Sequence, residues 1–124
     1  MANVTGIGGV FLRAKDPESL SKWYGDALGI TFMNGGHFSI FVEEAPSAVT
    51  VFALFDQGDP YVGDPQRQSV MVNYRVDDLD AMVQRLNSMG AVTEDILVEE
   101  NGRFTWSTDP EGNRFELWEP GPLD

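Results

Sequence analysis

Asp109-Pro110-Glu111-Gly112-Asn113-Arg114-Phe115-Glu116-Leu117-Trp118 reads as a tight turn that opens into a strand. Proline presets the backbone early in the reversal, and glycine and asparagine close it. Side chains then alternate, so Arg114, Glu116 and Trp118 share one face while Phe115 and Leu117 share the other. Phe115 and Leu117 are the residues expected beneath a helix, which turns Glu116 and Trp118 to the opposite side. A slip of one residue would bury the carboxylate under the helix and expose two large apolar side chains.

Outward from that strand, residues 92–98 and 103–108 read as further strands, and a helix is expected over 79–89. Asp78 caps the helix, Leu79, Met82, Val83, Leu86 and Met89 form its apolar stripe, and Gly90 ends it. Val70–Val76 precedes it as a strand rich in β-branched residues. The same order occurs upstream. Gly8–Ala14 is the strand, and Asp16 and Pro17 start a helix over 17–28 with Leu20, Trp23, Tyr24, Ala27 and Leu28 on one face. Gly29 ends that helix, and strands are expected near 30–34, 38–43 and 49–56, with turns at Gly35-Gly36 and Glu44-Ala45-Pro46.

The two copies can be laid on each other, Val10 on Val72, Arg13 on Arg75, Asp16 on Asp78 and Gly29 on Gly90. The chain therefore reads as a single α+β domain, residues 1–124, made of two tandem βαβββ modules, about 1–60 and 67–124. A linker rich in Gly, Pro, Asp and Gln joins them from Asp56 to Gln68. Each helix covers one face of its sheet and leaves the other concave, so the expected architecture is a cupped mixed sheet with helices outside and a pocket between the halves.

Composition narrows the function. The 124 residues include no cysteine, which excludes disulfides, thiolate catalysis and zinc–thiolate sites. With 20 acidic residues against 8 basic ones the formal charge is -12, which repels nucleic acid and favours a cationic ligand. No stretch approaches the ~20 apolar residues that span a bilayer. The N-terminus shows no basic start followed by an apolar run, so a cytoplasmic protein without a membrane partner is expected.

Four stretches resemble the vicinal oxygen chelate superfamily of glyoxalases, bleomycin-resistance proteins and extradiol dioxygenases. They are Gly8 to Ala14 leading into Asp16-Pro17, Trp23-Tyr24 through Leu28-Gly29, Arg75-Val76-Asp77-Asp78-Leu79-Asp80, and the turn and strand from Asp109 to Leu117. The resemblance implies the glyoxalase/bleomycin-resistance fold. In metalloenzymes of that superfamily four ligands point into the cup, one from the first and one from the last strand of each half. The matching positions here are Gly9, Ala53, Met71 and Glu116. Glycine and alanine carry no side-chain donor and a thioether is a soft ligand, so neither a metal nor another cofactor is expected. His37, the only histidine, falls outside these positions and reads as a loop residue.

Two readings of Glu116 stand. Alternation aims Arg13, Arg75 and Arg114 to its side, which would make it a scaffold carboxylate met by arginine. Alternatively it binds a cationic group or acts as a general base, which makes it the best catalytic candidate. The expected ligand-binding set is Phe11, Arg13, Phe55, Met71, Asn73, Arg75, Glu116 and Trp118. Tyr61, Phe104 and Trp106 are weaker candidates, and Trp23 and Tyr24 read as helix-to-sheet packing. Three functions follow. One is a metal-independent binder of a small aromatic or cationic molecule, resembling the bleomycin-resistance branch. The others are a glyoxalase- or dioxygenase-type enzyme and an interaction module with a vestigial pocket. The missing ligands rank the binder first. A homodimer is expected, because open half-sheets leave apolar surface uncovered.

Overall fold

The computed structural model describes residues 2–28, 30–42 and 49–121. Strand β1 (Val4–Ala14) leads into helix α1 (Pro17–Leu28), and β2 (Phe38–Val42) and β3 (Val49–Asp56) complete the first half. The second half runs β4 (Val70–Val76), α2 (Leu79–Ser88), β5 (Leu97–Glu99), β6 (Gly102–Thr108) and β7 (Arg114–Pro120). The strands form one mixed sheet in the order β2-β3-β1-β4-β7-β6-β5. β1 and β4 pair antiparallel at its centre, and each is flanked by a parallel partner, β3 and β7 respectively. Each half thus starts at the middle of the sheet, crosses to its edge and works back inward.

Both helices are capped as the sequence implies. Asp16 accepts from Ser19 N at 3.1 Å, and Asp78 accepts from Ala81 N at 3.1 Å. Glu119 of β7 reaches across to accept Leu79 N at 2.9 Å, which fixes the start of α2 against the sheet. Beneath α2 lies an apolar cluster of Val76, Leu79, Met82, Leu117 and Ala2, with Phe115 packed against it. A second cluster, Phe11, Ala53, Val62, Met71 and Trp106, lies on the concave face. Strand β7 serves both, Leu117 on the helix side and Glu116 on the other.

The turn before β7 sets this register. Asp109 accepts from Glu111 N and Asn113 N, each at 2.9 Å, and Gly112 takes a φ of 90°, the left-handed conformation for which glycine is suited. The hairpin so closed pairs Trp106 with Glu116 and Phe104 with Trp118.

The structure corrects several expectations. Residues 30–34 form no strand: Met33–Gly35 is a single 3-10 turn, and Ser39 Oγ ties the segment down at Thr31 O, 2.8 Å away. Among the described residues the first half is therefore βαββ. Of 92–98 only Leu97 onward joins the ladder, because the hydroxyls of Ser107 and Thr105 take the carbonyls of Val92 and Glu94. Gly29 and Glu44-Ala45-Pro46 lie outside the described residues. Among the described residues no helix is long and apolar enough to cross a membrane.

Candidate functional site

The concave face holds a cavity of about 410 Å³ with Glu116 in its lining. Phe11, Val51 and Phe55 form one wall, Phe104 and Trp118 another, and Met33 of the 3-10 turn joins Phe38 and Ile40 of edge strand β2. Glu116 is only 2% exposed. Its Oε1 accepts from Asn73 Nδ2 at 2.5 Å, and its Oε2 accepts from Trp106 Nε1 at 2.8 Å and from the Tyr61 hydroxyl. Burial raises the carboxyl above its ordinary range, and the three hydrogen bonds pull it back. The Tyr61 phenol is raised as well, first by burial and then by the charge of Glu116.

Arginine does not meet this carboxylate, against the first of the two sequence readings. Arg13 is a staple for the linker, donating to the carbonyls of Gln57 and Asp59 at 2.8 Å, Gly63 at 3.0 Å and Gln68 at 3.1 Å. Arg75 donates to Ile7 O at 3.0 Å and to Val49 O, on the first half of the sheet. Arg114 holds Tyr61 O at 3.0 Å, pairs with Glu94, and stands 5.5 Å from the centre of the Trp106 ring. Its charge acts on Glu116 only through space.

Of the eight residues proposed from sequence, Phe11, Phe55, Asn73, Glu116 and Trp118 line the cavity. Met71 lies in the concave-face cluster, fully buried, and Arg13 and Arg75 are not in the lining. His37, half-buried in the bend before β2, is not in it either.

Tyr61 and Trp106, ranked low from sequence, make the contacts that define the site. Trp106 was recoverable, since a hairpin closing at Asp109–Asn113 places it opposite Glu116. Tyr61 carried no such signal. It sits in a 3-10 turn, Pro60–Val62, that the Arg13 staple presses into the cup, where its ring stacks on Phe55 at 5.0 Å and meets Trp106 edge-on at 5.7 Å. The linker is thus a wall of the site.

Asn73 reaches Glu116 because β1 bulges between Ile7 and Gly9 and carries glycine at position 8. A Cβ there would collide with Asn73 Oδ1 and come within 2.9 Å of the Trp118 ring. Asn73 Oδ1 is buried in that niche without a hydrogen-bond partner.

The donor set does not fit a metal. Ala53 and Met71 are packed at 0% exposure among aromatic rings, and both open sides of Glu116 Oε2 are taken by N–H and O–H groups. Among the described residues no three His, Cys, Asp or Glu side chains are grouped to hold an ion.

A curled mixed sheet built from two related halves, with a cavity on its concave face, defines a class of two-module βα proteins. The sequence profile of the glyoxalase-like domain matches residues 9–118, and the chain belongs to that family. Solved structures agree on the fold. Methylmalonyl-CoA epimerase from Mycobacterium tuberculosis is 24% identical, with a TM-score of 0.64 over 96% of this chain and 90% of its own. A methylmalonyl-CoA epimerase in complex with methylmalonyl-CoA and NH4+ is 12% identical, with a TM-score of 0.75 over 98% and 99%. A glyoxalase/bleomycin resistance protein/dioxygenase superfamily member from Vibrio splendidus 12B01 is 13% identical, with a TM-score of 0.58 over 96% and 99%. No curated protein matches by sequence at a significant level.

Proposed function

We propose that this protein binds a small molecule in the cup without a metal ion, the ligand having an aromatic or apolar body and a donor or cationic end that meets Glu116. The observation that carries this reading is a nearly buried carboxylate, contacted by three neutral donors and by no cationic side chain, in the lining of a mostly apolar cavity. Apolar walls with few convergent polar groups are the usual make-up of a ligand pocket. The strongly negative chain would attract a cation at long range and repel nucleic acid. Its lack of cysteine suits a reducing, cytoplasmic setting. A metal-dependent lyase or dioxygenase is the weaker reading, because three of its four ligand positions carry Gly9, Ala53 and Met71.

The protein is also proposed to pair with a second copy. Edge strand β2 exposes Phe38, Ile40 and Phe41, two of them at the mouth of the cavity, and such a surface favours burial. Sedimentation equilibrium should show a dimer, and a concentration-independent monomer of 13.7 kDa would contradict it.

The test of binding is tryptophan fluorescence, since Trp118 lines the cavity. Small aromatic compounds should quench emission and raise the melting temperature. Glu116→Gln should weaken cationic ones by roughly 1–3 kcal/mol and leave neutral ones nearly unchanged. Elemental analysis showing near-stoichiometric transition metal in tag-free protein, lost in that variant, would overturn the reading.

A further inference from the structure

The unused hydrogen-bonding capacity of Glu116 restricts its ligand further. A carboxylate offers about four lone-pair directions, two on each oxygen. Tyr61 and Trp106 fill both on Oε2, and Asn73 fills one on Oε1. One remains. The other acceptor in this corner, Asn73 Oδ1, is sealed in the niche beside Gly8. Apart from Tyr61, Asn73 and Asn101 the surrounding lining is apolar, chiefly the rings of Phe11, Phe55, Phe104 and Trp118.

The geometry points to a protonated tertiary amine on a small aromatic body as the class of ligand this cavity selects, with Tyr61 as the residue that sets the selection. The inference rests on the proposed binding function and deepens it. A primary ammonium brings three N–H groups to one acceptor, and each N–H left unpaired in an apolar site is costly. A quaternary ammonium has no N–H and leaves the acceptor unmet. A tertiary ammonium brings one. Its alkyl groups carry the charge toward the aromatic faces, where cation–π attraction adds to the match. The charge itself neutralises a buried carboxylate that no cationic side chain contacts, which a neutral molecule of the same shape cannot do.

Tyr61 controls the count because its hydroxyl occupies one direction on Oε2. Tyr61→Phe keeps the ring that stacks on Phe55 and removes only that donor. Glu116 would then offer two open directions, and a ligand with two N–H groups should gain on one with a single N–H.

A probe series tests this by calorimetric titration at neutral pH: benzylamine, N-methylbenzylamine, N,N-dimethylbenzylamine, benzyltrimethylammonium and the neutral isostere isobutylbenzene. For the native protein the dimethyl compound should bind about tenfold or more tightly than benzylamine, and more tightly than the quaternary and neutral members. In Tyr61→Phe the N-methyl compound should overtake it. A native ranking in which the primary or quaternary amine equals the tertiary one overturns the selection, whatever the variant does. Binding of isobutylbenzene with no discrimination among the amines overturns the selection but leaves the proposed pocket standing. Binding by no member, isobutylbenzene included, would overturn both.

Discussion

Where β1 of the first half carries Phe11 beside Ala53 of β3, β4 of the second carries Asn73 beside Glu116 of β7. The repeat places these pairs at matching positions, yet one is hydrocarbon and the other an amide and a carboxylate. The helices differ in the same sense. α2 sinks Leu79 and Met82 into the core, whereas Trp23 of α1 is 56% exposed and none of its described side chains is fully buried. A duplicated frame therefore does not oblige its halves to do the same work. The second half supplies the polar chemistry and the firmer core, and the first supplies a wall, a glycine notch and the arginine that holds the linker.

The largest expected effect tests the difference in packing. Leu79→Ala removes a fully buried side chain and should lower stability by about 3 kcal/mol, whereas Leu20→Ala on half-buried α1 should cost about 1 kcal/mol. Urea denaturation of the two variants decides it, and equal losses would break the contrast. Next comes the notch. Gly8→Ala forces Asn73 or Trp118 to shift and should cost about 2 kcal/mol while also weakening ligand binding, although the mutation lies in the apolar half. A stable variant with unchanged affinity would show that the halves do not interlock there.

Arg13→Lys sharpens the comparison of the two staples. A lysine ammonium cannot reproduce a fork that reaches four carbonyls, so a loss of about 1.5 kcal/mol is expected, with faster amide exchange around Tyr61. Arg75→Lys gives up only two carbonyls and should leave Tyr61 protected.

The smallest effect concerns pH. Burial holds the Glu116 carboxyl above its ordinary value of 4.5, so the folded chain binds this proton more tightly than the unfolded chain does. Its contribution favours the fold below that value and is lost as pH rises above it. The melting temperature of the native protein, measured against Glu116→Gln, should therefore fall from about pH 4.5 upward. An opposite slope would mean that the hydrogen bonds outweigh the burial.

The parity of β7 was legible because Phe115 and Leu117 can face only a helix, and the two helix starts were legible in their aspartate caps. The expected strand at 30–34 misread four residues of β-prone sequence, Ile30-Thr31-Phe32-Met33, that run straight into Asn34-Gly35, where Gly35 at φ 68° turns the chain. The arginines were misplaced for a different reason. Alternation gives the side of the sheet from which a long side chain departs, not the distance it travels, and each guanidinium found carbonyl groups before it found Glu116. Tyr61 was illegible because no periodicity runs through the linker, and its position depends on a staple from a strand more than forty residues upstream.

Tyr61 belongs to neither copy of the repeat. Two identical half-length chains assembled about a symmetry axis would present every position twice and would have no residue at a joint between them. The clamp on Glu116 joins a polar pair that only the second half carries to a covalent bridge folded inward between the halves. Such a centre therefore belongs to a single polypeptide, in which the two halves and the bridge between them carry different residues.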